Sequence, residues 1–166
     1  MKEAIQTLIT SDKMAHAFEY LKQDEAHTID QQIELVQISS FSPFEEKRAI
    51  RFKELLTEAG LDPVMDEVHN VYAHIHGTGN GPTLYVSAHL DTVFPPETPL
   101  PVKREGTKIY APGIGDDTRG LAEILTLARA IKESGLKPVG DIIIGGNVGE
   151  EGLGDLRGMR HFFSQS

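Results

Sequence analysis

The sequence predicts an α/β fold, a three-layer sandwich in which a mixed sheet lies between helices. Helix-period and strand-period segments alternate along the chain, the pattern of a sheet covered by helices. The strand segments are short, β-branched or aromatic, and end in polar clusters. A length of 166 residues, with 39% hydrophobic and 25% charged residues, suits one domain with a real core rather than two.

Residues 14–38 set Phe18, Leu21, Ile29, Ile33, Val36 and Ile38 among charges, a pattern of one or two amphipathic helices interrupted near residues 26–28. A loop over residues 39–43 follows. Over residues 44–59 the helical spacing of Ala49, Phe52, Leu55, Leu56 and Ala59 predicts a helix, which Gly60 and Asp62-Pro63 stop. The period then shortens to that of strands at residues 64–68, 71–76 and 83–90, with His69-Asn70 and the turn-rich residues 77–82 between them. Residues 102–110 read as a small hairpin around Glu105-Gly106. Leu121, Ile124, Leu125, Ala128 and Ile131 form the stripe of a helix that ends at Gly135. A buried strand over residues 141–148 and a helix beginning over residues 156–163 complete the pattern.

Composition excludes several classes. No run approaches the ~18 apolar residues of a spanning helix, so a membrane protein is not expected. Sixteen basic against 25 acidic residues give a net charge of −9 with no basic block, which speaks against nucleic acid as a partner. Residues 1–10 lack the apolar core and small-residue cleavage site of an export signal, so a cytoplasmic location is expected. Cysteine is absent, so any metal must rest on His, Asp and Glu.

Three polar clusters fall at element ends, where an α/β sheet places its ligands. The first is His89-Leu90-Asp91-Thr92 after the strand Leu84-Tyr85-Val86. Two residues apart, His89 and Asp91 share a face if strand geometry persists, and a carboxylate beside an imidazole fixes and strengthens it as a metal ligand. A hydrogen-bonded pair at a strand end is the plainer alternative. The second is Gly115-Asp116-Asp117-Thr118-Arg119-Gly120, just before a helix. Helix capping accounts for one aspartate, while two adjacent carboxylates are best relieved by a cation. The third is Gly149-Glu150-Glu151-Gly152 after Ile142-Ile143-Ile144. A solvated turn accounts for one glutamate, whereas two suit a metal ligand beside a general base.

In their order and spacing these motifs resemble the N-terminal part of the co-catalytic zinc exopeptidase family of carboxypeptidase G, peptidase T, aminoacylase and acetylornithine deacetylase. The resemblance covers most of the chain and implies a zinc-exopeptidase-like sandwich. It makes His89 and Glu151 ligands of one metal each, Asp116 the bridge between them, Glu150 the general base and Asp91 the catalytic-site carboxylate that orients His89. Asp117 adjoins the bridge across a peptide bond that is often cis in the family, and Arg119, where many members carry lysine, is a supporting residue. Two zinc ions are implied, with cobalt or manganese compatible with the same donors. The implied reaction is hydrolysis of a peptide or N-acyl amide bond in a small peptide or N-acyl amino acid.

Family members are longer, with a further acidic ligand downstream and a last histidine near the C-terminus. The resemblance therefore implies that residues 1–166 are a truncated N-terminal portion of a catalytic domain, without the lid and dimerisation domain and inactive alone. His161 is expected to pack or lie at the surface rather than replace a ligand. Apolar surface near residues 139–166 leads to an expectation of homo-oligomer formation. The competing readings are a non-catalytic metal-binding or interaction module, and an α/β protein whose acidic loops only cap helices.

Overall fold

The computed structural model describes residues 2–165; Met1 and Ser166, the two ends of the sequence reading, lie outside them. Helices α1 (Lys2–Ile9), α2 (Asp12–Gln23), α3 (Glu25–Val36) and α4 (Glu46–Glu58) come first. Strands β1 (Val64–Met65), β2 (Val71–Ile75) and β3 (Leu84–His89) follow, then a hairpin of β4 (Lys103–Glu105) and β5 (Lys108–Tyr110). Helix α5 (Thr118–Ser134), β6 (Ile142–Asn147) and α6 (Arg157–Ser164) complete the order.

The main sheet runs β1-β2-β6-β3, with β2 antiparallel and β3 parallel to β6, so the mixed α/β architecture expected from the sequence is borne out. Alternation along the strands sorts the two faces. Val71, Ala73, Ala88 and Ile144 are buried, and this face packs with Phe52, Leu55 and Leu56 of α4 and Leu121 and Leu125 of α5. On the opposite face Tyr72 and Tyr85 meet Phe162 of α6, with ring centroids 5.3 and 4.4 Å apart. Helix α5 ends where Gly135 takes a left-handed φ of 63°, as the sequence reading expected.

Several local departures have identifiable causes. Helix α1 is not assigned from the sequence, and its Ile5, Leu8 and Ile9 stay exposed, so it lacks a core-facing signal. The break between α2 and α3 falls at Asp24, earlier than expected, because the Asp24 carboxylate turns inward to a buried partner. Strand β1 stops at Met65 because Asp66 accepts the N–H groups of Val68 and Asn70 and turns the chain. The apolar segment Ile142-Ile143-Ile144, read from the sequence as part of a buried strand, lies between β2 and β3. The edge strands are β1 and β3, and β3 lies beside a cavity of about 820 Å³ lined by Leu21, Val86, Ala88, Ile124 and Leu127.

A buried ion pair ties the outer helices to α5. Asp24 accepts from Arg129 Nε at 2.9 Å, and Arg129 Nη1 donates to Gln31 Oε1 at 2.8 Å. Both charged residues are 9% exposed, and burial opposes ionisation of Asp24, yet the Arg129 hydrogen bonds hold its carboxyl below the usual range. Removing one partner strands the other's charge. Arg129→Ala is expected to lower stability by about 3–5 kcal/mol, measured by urea unfolding, with much of the loss recovered when Asp24→Asn is added.

Candidate metal centre

Parallel pairing of β3 with β6 sets His89 opposite Asn147, so the carboxyl ends of both strands open at one edge of the sheet. Helix α5 begins at the same edge, and ligand sites of α/β sheets lie there. His89 ends β3, Asp116 stands just before α5, and Glu150 and Glu151 follow β6. Three segments far apart in sequence thus meet at one imidazole.

His89 Nε2 lies 2.8 Å from Asp116 Oδ1, 3.9 Å from Glu150 Oε2 and 4.0 Å from Asp117 Oδ2. One donor atom each from His89, Asp116 and Glu151 lie within 4.8 Å of one another. Atoms ligating one ion at ~2.0 to 2.2 Å lie at most about 4.4 Å apart, so the donors stand near the spacing a cation would set. Imidazole nitrogen with carboxylate oxygen suits zinc, cobalt or manganese. His89 is 9% exposed while the Asp116 side chain is 77% exposed, so the cluster opens to solvent on its acidic side.

The two aspartates at α5 divide their work. Asp117 caps the helix by accepting from Gly120 N–H at 3.1 Å, and its other oxygen accepts the His89 N–H at 3.1 Å. The peptide between Asp116 and Asp117 is cis. Arg119 turns away to Glu123, 2.8 Å distant and one turn further along α5. His161 faces Asp66 and Glu67 across from α6.

Asp91 does more than the sequence reading assigned to it. Its carboxylate lies 3.6 Å from His89 Nδ1, beyond good hydrogen-bond geometry, and its backbone carbonyl is closer to that nitrogen at 3.1 Å. Both carboxylate oxygens are engaged by the next loop, accepting Glu150 N–H at 3.0 Å and Glu151 N–H at 2.8 Å. Asp91 is fully buried, and although burial opposes its charge, the neighbouring His89 ring and the hydrogen bonds from these amides keep its carboxyl below the usual range.

The site is short of positive charge. Burial alone would lower the His89 pKa, but the nearby Asp91 carboxylate, the hydrogen bond to Asp116 and the charge of Asp117 outweigh it and raise it to about 9. Glu151 is also pushed up, first by burial and then by the charges of Asp116 and Glu150. A raised imidazole pKa and a raised carboxyl pKa are two responses to the same excess of carboxylates. A bound cation would meet the same deficit.

Sequence reasoning missed three supporting residues. Asn70 Oδ1 accepts Val148 N–H at 3.1 Å, and Glu45 Oε1 accepts Gly149 N–H at 3.2 Å. Arg48 is 1% exposed and donates to the carbonyls of Ile38 and Leu90; burial brings its pKa down to about 10, while Asp91 opposes that fall. Their sequence signals are weak, since Glu45 and Arg48 look like solvent-facing charges of a helix start and Asn70 like a turn residue. Cavities of about 530 and 360 Å³ both include Glu151 in their walls, the first also lined by Phe41, Pro43, Val93 and Leu153.

The fold and this cluster define a mixed α/β protein with a histidine–carboxylate centre at its strand ends. Over residues 85–165, the span that holds every motif above, the chain matches the model of Peptidase family M20/M25/M40. Carboxypeptidase G2 of Pseudomonas sp. (strain RS-16) is 38% identical over 84 residues, covering 49% of this chain and 20% of that protein. Aminopeptidase PepT from Bacillus cereus ATCC 10987 matches with a TM-score of 0.63 and 26% identity, over 74% of this chain and 36% of that one. A tripeptidase from Staphylococcus aureus subsp. aureus Mu50 matches with a TM-score of 0.62 and 31% identity, over 76% and 37% of the respective chains. The matched region thus spans 20% to 34% of the length of the curated relatives. The family resemblance drawn from the motifs is borne out.

The raised His89 pKa makes a signed prediction for the metal-free chain. Its stabilising effect is fully present below the ordinary value of 6.5 and is lost as pH rises through about 9. The melting temperature in chelator is therefore expected to fall between pH 6.5 and 9.5, and His89→Ala to flatten that decline; a wild-type profile that rises over this window would contradict the assignment.

Proposed function

We propose that this chain supplies the metal-holding part of an exopeptidase active site, which hydrolyses the peptide or N-acyl amide bond of a short peptide or N-acyl amino acid. The observation that carries the proposal is the approach of the His89, Asp116 and Glu151 donor atoms to within 4.8 Å, inside the family-matched segment. Residues 1–166 are read as the N-terminal portion of the catalytic domain, in a cytoplasmic enzyme.

His89 and Glu151 would each hold one of two zinc ions, and Asp116 would reach both. Such a pair, when bound, polarises a carbonyl and lowers the pKa of water. Glu150 is the proton carrier in this reading: its side chain is 44% exposed and 3.9 Å from His89, placed to accept from a water at the cluster and to donate to the leaving amine. Asp91 keeps Glu150 and Glu151 in place through their backbone N–H groups. The mainly apolar cavity beside Glu151 would take an apolar group of the substrate. Names among the relatives, a carboxypeptidase, an aminopeptidase and a tripeptidase, support a peptide substrate without choosing its end.

The roles separate by mutation in the polypeptide that carries these residues. Glu150→Gln is expected to lower dipeptide hydrolysis by about 10² to 10⁴-fold while zinc content, measured by inductively coupled plasma spectrometry, is kept. Asp116→Ala is expected to lose zinc and turnover together. Ordinary activity in Glu150→Gln would remove Glu150 from the reaction.

A further inference from the structure

The proposed chemistry needs Glu150 and Glu151 held against His89 and Asp116, yet the loop that carries them is neither helix nor strand. Its chain direction is set at Gly149, which takes a left-handed φ of 65°. A side chain there would be strained, and its Cβ would lie 2.6 Å from Arg157 Nη1 and 3.2 Å from the Gly154 carbonyl. The Gly149 N–H donates to Glu45 Oε1 at 3.2 Å, and Glu45 Oε2 accepts from Arg157 Nη2 at 2.7 Å.

Glu45 occupies the N-cap position of α4, where an acidic side chain ordinarily serves the free amides of its own helix. It makes no such bond. Instead it is 0% exposed and turned toward a loop 104 residues away in sequence. A carboxylate that gives up solvent and its own helix terminus is stable only with strong partners, here one amide and one guanidinium.

We propose that Glu45 is a positioning residue for the metal-holding loop: its carboxylate fixes Gly149 and Arg157 so that Glu150 and Glu151 face His89 and Asp116. The proposal rests on the reading of His89, Asp116 and Glu151 as metal ligands. The hydrogen bonds of the Glu45 carboxylate go to the Gly149 amide and to Arg157, so its effect passes through the backbone of the loop.

Zinc titration of the 166-residue chain tests this. Glu45→Ala is expected to weaken zinc binding by about 10- to 100-fold, the usual effect of losing a group that orients a ligand. Glu45→Gln keeps an acceptor oxygen for Gly149 and should retain most of the affinity. In a Glu151→Ala background the effect of Glu45→Ala should shrink to within about twofold, because the ligand it orients is gone. Equal losses in both backgrounds, or no loss in either, overturn the proposal. If Glu45→Ala does not fold, Glu45→Asp replaces it, since it keeps a charge for Arg157 and draws the acceptor back from Gly149.

Hydrogen exchange in the metal-free chain separates the two readings. The Gly149 amide should exchange faster in Glu45→Ala and not in Glu45→Gln, and unchanged exchange overturns the role of Glu45 whatever zinc does. Zinc binding indifferent to both His89→Ala and Glu151→Ala would instead overturn the ligand reading.

Discussion

Four consecutive backbone N–H groups, those of Val148, Gly149, Glu150 and Glu151, each donate to a side chain: Asn70, Glu45 and, for the last two, Asp91. All three acceptors are at most 1% exposed. A buried amide left without a partner costs about 1–3 kcal/mol, so a loop with this many captured donors has little freedom to take another path. The three acceptors come from different places: the turn before β2, the start of α4 and the end of β3. The glutamate loop is therefore set by the surrounding domain.

The sheet makes this capture possible. Because β3 and β6 run parallel and in register from Leu84 and Ile142 to His89 and Asn147, their outgoing loops leave side by side. Asp91, two residues past the end of β3, then lies opposite the amides of the chain leaving β6. Asp117 adds a link from α5, since one of its oxygens caps the helix and the other closes the outward-facing His89 amide on the open edge of β3. Strand ends and helix start become one rigid frame. The frame concentrates carboxylates around one imidazole, and the raised pKa values of His89 and Glu151 are its electrostatic consequence.

The alternation of elements was legible in the sequence because each long helix carries an apolar stripe facing one core, as in Phe52, Leu55 and Leu56 or Leu121 and Leu125. Helix α1 was not, because its apolar residues remain in solvent. The motifs around His89, Asp116 and Glu150 were legible because they occur together in one order and spacing, although each alone is weak. Asn70, Glu45 and Arg48 were invisible for a physical reason: each acts through backbone groups distant in sequence, and a side chain bonded to backbone leaves no pattern in its neighbours. The second duty of Asp91 was hidden likewise, since the identity of the residues whose N–H groups it accepts does not matter to the bond.

The central claim is that the β3 end, the α5 start and the loop after β6 together form one metal-binding centre. X-ray absorption at the zinc edge, on the zinc-loaded chain and on His89→Ala, tests it most directly. The account predicts a shell of nitrogen and oxygen at about 2.0–2.2 Å with the outer scattering of an imidazole, and loss of that outer scattering in His89→Ala. An unchanged imidazole signal in His89→Ala, or zinc bound without imidazole in the wild type, would place the metal elsewhere and contradict the account.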